Sequence, residues 1–190
     1  MDIIPGRPLE NHKKVEDWLE KEMQQQEQPD VIVLPEMWTT AYTLDTLDEC
    51  AEDDNRMTTE FLSQLAKKYE INIVGGSIAT KVNDAVYNRA LAFNRAGELV
   101  YEYDKIHLVP MLNEHLYLTG GKNSAQTFEL DGIKVGMIIC YDLRFPELAR
   151  RLALEGAQAL FILAEWPEAR HTHWYHLQLA RAIENQMYVV

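Results

Sequence analysis

The chain has 190 residues, 47% of them hydrophobic, and a formal net charge of -12 from 18 basic and 30 acidic side chains. That length and apolar content suit one globular domain over residues 1–190 with a sizeable core, while the acidic balance repels phosphate and argues against nucleic acid as a partner. Two well-separated cysteines, no apolar leader and no run of about 18 apolar residues point to a cytoplasmic protein without a membrane partner.

The segment Met1 to Pro8 is turn-rich and leads into a helix whose apolar stripe is Val15, Trp18, Leu19 and Met23. Asp30 to Pro35 reads as a short apolar strand that Pro35 ends, leaving Glu36 just past its tip. A carboxylate there is ordinarily solvated, but Met37 and Trp38 would wall it from water. Asp45 to Asn55 is acidic and loop-like, with Cys50 an incidental free thiol. Met57 to Tyr69 has a helical stripe of Phe61, Leu62, Leu65 and Tyr69, and Ile71 to Thr80 follows as a strand. Its Gly75-Gly76-Ser77 lacks the Lys and Ser/Thr of a phosphate loop and reads as close backbone packing.

Val86 to Asn94 and Leu99 to Tyr103 flank Arg95-Ala96-Gly97-Glu98 as a hairpin, and Lys105 stands at its end. A lysine in that place ordinarily snorkels to solvent. Met111 to Gly121, with Glu114 and His115, reads as a compact irregular loop, and Gln126 to Leu130 as a strand. The run from Gly132 to Ile139 is a buried strand ended by Cys140, and Pro146 fits the first turn of the helix that continues to Gly156. A thiol at a strand-to-helix elbow is exposed, meets free backbone N–H groups and is favoured as thiolate; a cysteine after an apolar run is also commonly a buried structural thiol. Gln158 to Ala164 repeats the apolar pattern and carries Glu165-Trp166-Pro167 at its tip. Arg170 to Gln186 reads as a helix with Leu177, Ala180, Ile183 and Met187 on one face, before Tyr188 begins a strand. His171, His173 and His176 lack a third ligand in recognisable spacing, so a helix start with polar rim residues is favoured over a metal site.

Strands alternating with helices indicate an α/β layer architecture, in which strand tips converge. Glu36, Lys105, Cys140 and Glu165 all lie at such tips. An attacking thiol needs a base, and its product needs an oxyanion stabilised; Glu36 and Lys105 can serve. The reference pKa gap between a carboxylate and a thiol, about 4 units or 5 to 6 kcal/mol, must be closed by burial of Glu36 and by the Lys105 ammonium. Lys105 can also protonate departing ammonia.

Leu34-Pro35-Glu36, Tyr103-Asp104-Lys105-Ile106-His107-Leu108 and Cys140-Tyr141-Asp142-Leu143-Arg144-Phe145-Pro146-Glu147 together resemble the nitrilase superfamily of carbon-nitrogen hydrolases, and Arg181 to Gln186 is similar to a further family block. The resemblance implies a nitrilase-like αββα sandwich and cysteine-dependent hydrolysis of an amide or nitrile without metal or organic cofactor. It makes Glu36 the general base, Lys105 the proton donor and oxyanion stabiliser, Cys140 the nucleophile and Glu114 a second glutamate that orients Lys105 or substrate. The Tyr141 N–H would complete the oxyanion hole. Glu165-Trp166-Pro167, Arg170 and His173-Trp174, together with Met111 to His115, are most similar to the bacterial ω-amidases of the family, which release ammonia from monoamides of small dicarboxylates such as α-ketoglutaramate. A distal carboxylate needs a cation, for which Arg144 and Arg170 are candidates beside Trp166.

Against the family pattern, the first strand is reduced to Met1 to Ile4 and the C-terminal strands are missing, as for a domain incomplete at both ends. A homodimer is expected from the resemblance. N-carbamoyl amidase, deaminated-glutathione amidase and nitrilase activities remain alternatives, as do a Cys-His hydrolase using His107 or His115 and a non-catalytic binding module with an inert Cys140.

Overall fold

A computed structural model describes residues 1–190 as two β-sheets stacked face to face, with helices covering both outer sides. The first sheet has the order β1 (Val31–Val33), β3 (Asn72–Val82), β4 (Ala85–Phe93) and β5 (Leu99–Asp104), with β2 (Glu52–Asp53) pairing on β3. The second runs β6 (Phe128–Leu130), β7 (Ile133–Ile139), β8 (Ala159–Leu163) and β9 (Tyr188–Val189). Helices α1 (Pro8–Glu22) and α3 (Arg56–Tyr69) pack on the first sheet through Val15, Leu19, Leu62, Leu65 and Ala66, all buried with Ile73, Ile78, Leu91 and Phe93. Helices α4 (Pro146–Leu154) and α5 (His171–Asn185) cover the second. A continuous core joins Val74, Ala90 and Ala92 of one sheet to Val135, Met137 and Ile138 of the other, so the architecture is an αββα sandwich, as the sequence resemblance implies.

Topology aims the strand tips. β1 runs parallel to β3, which is antiparallel to β4, which is antiparallel to β5; β1 and β5 therefore point the same way. β7 and β8 are parallel to each other. At the other end an ionic clasp holds the layers together. Arg95, in the β4–β5 turn, donates from Nε to both carboxylate oxygens of Asp131 in the β6–β7 turn at 2.9 Å, from Nη2 to Asp30 at 2.7 Å and from Nη1 to the Glu70 carbonyl at 2.8 Å.

Several sequence expectations need correction. Asp45 to Asn55 is not simply a loop: it holds a 3-10 turn, the four-residue helix α2 (Leu47–Cys50) and β2. Its Glu52 is buried and accepts from the Thr58 N–H at 2.9 Å and from the Thr58 hydroxyl, satisfying the start of α3. Trp18 is 43% exposed rather than part of the core stripe, and Ile183 is 74% exposed. Met1 to Ile4 forms no strand.

Gly75-Gly76-Ser77 does serve close packing. A β-bulge shifts the β3–β4 register between Val74 and Ser77, and a Cβ on Gly76, at φ +65°, would lie 2.2 Å from the Pro35 carbonyl oxygen. Ser77 then accepts the Met37 N–H on its hydroxyl at 3.0 Å and the Trp38 N–H on its carbonyl at 3.1 Å. This stretch is the cradle of the turn that presents Glu36.

Candidate active site

Glu36 follows β1, Lys105 follows β5, Cys140 follows β7, and Glu165 lies just past β8. The topology brings all four to one end of the sandwich. Glu36, Lys105 and Glu114 are completely buried, so the ordinary reading of a strand-end lysine as a snorkelling surface charge is overturned. A buried cation persists only when paired, and Lys105 Nζ donates to Glu36 Oε1 at 3.0 Å and to Glu114 Oε1 at 3.1 Å. Burial alone would lower the Lys105 pKa; Glu36 and Glu114 outweigh it and raise it. Lys105 is thus a permanent ammonium.

Glu36 is surrounded by donors. Its Oε1 accepts from the Tyr42 hydroxyl at 2.5 Å, Asn88 Nδ2 at 3.0 Å and Lys105, while Oε2 accepts the Glu165 backbone N–H at 2.9 Å. Tyr42 also accepts from Lys105 Nζ at 3.2 Å, and burial together with the charge of Glu36 raises its pKa well above its usual value, so its proton stays in place. Glu114 is fixed in turn by the Val109 N–H, donated to Oε2 at 2.8 Å.

Cys140 has φ +46°, a left-handed conformation that costs a non-glycine residue about 1–3 kcal/mol and turns the chain sharply out of β7. It opens the 3-10 turn Cys140–Arg144, whose first N–H groups, including that of Tyr141, have no partner within the turn. Asp142 secures the elbow: it accepts from the Tyr103 hydroxyl at 2.8 Å, the Ile139 N–H at 3.2 Å, and the His107 N–H and Nδ1 at 3.0 and 2.7 Å. The expected exposed thiolate is not what the elbow presents. Cys140 is 5% exposed, and burial followed by the Glu36 charge pushes its thiol well up, with Lys105 opposing. The resting group is a protonated thiol beside a carboxylate.

The thiol opens onto a cavity of about 410 Å³ walled by Tyr42, Tyr141, Arg144, Glu165, Trp166 and Arg170, among others. All four sequence-derived binding residues therefore line one space. His107 is committed to Asp142 and stacks on Phe145 at 3.5 Å, and His115 lines a different cavity, so neither serves as a base for Cys140. His173 Nδ1 meets Arg144 at 3.3 Å and His176 Nδ1 meets the Thr172 carbonyl at 2.7 Å.

Sequence reasoning missed Tyr42 and Asn88. Tyr42 lies in an irregular turn and carries no pattern. Asn88 had a signal: alternation along β4 puts it in phase with buried Val86 and Ala90, and a polar residue on the inward phase of a strand needs a partner.

A buried carboxylate and ammonium beside a cysteine at the tips of an αββα sandwich define a carbon-nitrogen hydrolase, and the comparisons agree. The carbon-nitrogen hydrolase family profile matches residues 4–190, and the chain belongs to that family. It is 48% identical over 188 residues to the 2-oxoglutaramate amidase of Bacillus subtilis (strain 168), covering 99% of this chain and 71% of that one. It is 40% identical over 164 residues to an omega-amidase of Escherichia coli (strain K12), covering 84% of this chain and 60% of that one. In three dimensions it superposes on a CN-hydrolase superfamily protein from Xanthomonas campestris with a TM-score of 0.88 at 31% identity, covering 99% of this chain and 71% of that one. With the family and the relatives named as amidases, the chain is a carbon-nitrogen hydrolase of the amidase type.

Proposed function

We propose that the chain hydrolyses the terminal amide of a small carboxylate-bearing molecule, a dicarboxylate monoamide such as α-ketoglutaramate, through a Cys140 thioester. The observation that carries this reading is the buried Tyr42–Glu36–Lys105–Glu114 network set against Cys140 at the mouth of a cavity walled by two arginines. Oε1 of Glu36 is already engaged by three donors, so Oε2 is the oxygen with capacity for the thiol proton. As the S–C bond forms, Glu36 takes that proton, and the oxyanion rests on Lys105 Nζ and the Tyr141 N–H, each such donor being worth about 3–4 kcal/mol. When the intermediate collapses, the C–N bond breaks and ammonia leaves with the proton from Glu36. Lys105, held as an ammonium by the neighbouring carboxylates, stabilises the oxyanion while Glu36 carries the proton from sulfur to nitrogen. Water, deprotonated by Glu36, then attacks the thioester, releasing the carboxylate and returning the proton to sulfur.

No metal or cofactor enters this chemistry. Arg144 and Arg170 take the distal carboxylate, with Trp166 and Tyr141 as apolar walls. The two free cysteines suit a cytoplasmic location. Tyr175, Leu179 and Ile183, exposed along α5, suit a homodimer pairing helix to helix, which light scattering tests directly.

The deciding experiment is ammonia release from α-ketoglutaramate, succinamate, an N-carbamoyl amine and a simple nitrile, with Cys140→Ala as control. Release from the two dicarboxylate monoamides, abolished in the variant, is the expected outcome. Release only from another compound would overturn the substrate assignment.

A further inference from the structure

Arg144 is a cation without a carboxylate. Its guanidinium has no acidic side chain within ion-pair range; it lies over the Trp166 ring at 4.9 Å and the Tyr141 ring at 5.5 Å, and its buried Nε has no hydrogen-bond partner. Two ring faces confine a planar guanidinium to a slot but leave its rotation within that plane open. One in-plane contact closes that freedom: Nη2 donates to Nδ1 of His173 at 3.3 Å. Arginine can only donate, so Nδ1 is the acceptor and the imidazole carries its proton on Nε2.

Helix α5 braces this arrangement from behind. Its first turn delivers His173 to the guanidinium and Trp174 to the back of Trp166, ring centroids 5.2 Å apart. Two turns later the buried Arg181 donates to the Leu143 carbonyl at 2.9 Å, fixing the backbone next to Arg144. We propose that His173 is a positioning residue that fixes the rotation of Arg144, so that its remaining N–H groups face the cavity as a fork for the substrate's distal carboxylate, and that His173 thereby sets selectivity for carboxylate-bearing over neutral amides. This rests on the reading of Arg144 as the carboxylate anchor. A bidentate carboxylate contact depends on the orientation of the fork, so a guanidinium free to turn keeps its charge and loses the geometry.

The test compares succinamate with butyramide, which lacks the carboxylate, in His173→Leu, His173→Asn and Arg144→Gln. His173→Leu raises the succinamate KM about tenfold, the loss of roughly one hydrogen bond to a charged group, with kcat within about twofold and butyramide kcat/KM unchanged. His173→Asn, which returns an acceptor near the Nδ1 position, restores the KM. An unaltered succinamate KM in His173→Leu, an equal loss on both amides, or no rescue by asparagine overturns the proposal. Arg144→Gln separates the two readings. If it abolishes succinamate selectivity while His173→Leu does not, only the role of His173 falls; if it leaves selectivity intact, the anchor reading falls as well.

Discussion

At the residue scale the site works by holding protons where they are. Tyr42 is the least expected member: its hydroxyl donates a hydrogen bond to Glu36 and accepts one from Lys105, tying base to cation. Tyr42→Phe removes both bonds and keeps the ring, so kcat on any accepted amide should fall about 10- to 100-fold, at roughly 1.5–3 kcal/mol for a hydrogen bond to a charged group, with little change in KM. The same groups imply an alkaline limit. Burial raises Cys140, Tyr42 and Tyr103 above their ordinary 9.0, 10.0 and 10.0, and for Lys105 the neighbouring carboxylates outweigh burial to raise it above 10.5. As pH climbs past about 9 the unfolded chain releases these protons while the folded one retains them, so stability is full below that point and declines above it. Urea midpoints at pH 8 and pH 10.5 should show the decline, and Cys140→Ala and Tyr103→Phe should each make it shallower.

At the element scale the base depends on a strand it does not belong to. The turn Pro35 to Trp38 is held by the bulged stretch of β3, and Gly76 has no room for a methyl group against the Pro35 carbonyl. Gly76→Ala should cost about 3 kcal/mol in unfolding free energy and displace Glu36, so the residual folded protein should lose most of its turnover. Here the limits of the sequence are also visible. Glu36, Lys105 and Cys140 were legible because each sits in a short motif at a strand tip, Glu114 only through the family resemblance, and the hairpin and central strand because their apolar period or turn chemistry is strong. The burial of Lys105 was not legible from local pattern, because it is created by Glu36 and Glu114 arriving from elsewhere in the chain. The small elements between Asp45 and Asn55 escaped for another reason: two- and four-residue segments are too short to show a period. The thiolate expectation failed because the elbow argument counts free N–H groups and misses the Glu36 carboxylate across the cleft.

At the scale of the whole molecule, the sheets meet at two ends with different tasks. The Arg95 clasp binds the turns at one end and touches nothing at the other, where the chemistry is placed. Arg95→Ala should lower the melting temperature by roughly 2–4 °C, for about 1 kcal/mol from a partly exposed ionic network, with kcat unchanged. Differential scanning calorimetry alongside an ammonia assay checks both halves of that statement.

The side chains that receive the thiol's proton or surround its base all come from the part of the chain before Lys122: Glu36, Tyr42, Asn88, Lys105 and Glu114. The sulfur, Arg144 and the Glu165 N–H come from the part after Asn123. The exposed link at Lys122 and Asn123 lies between them. A chain severed there yields two fragments, one holding the base without its nucleophile and the other the nucleophile without its base. Neither piece can turn over an amide alone, so ammonia would appear only when the fragments reassemble, and the enzyme becomes its own reporter of how closely two separate polypeptides have come together.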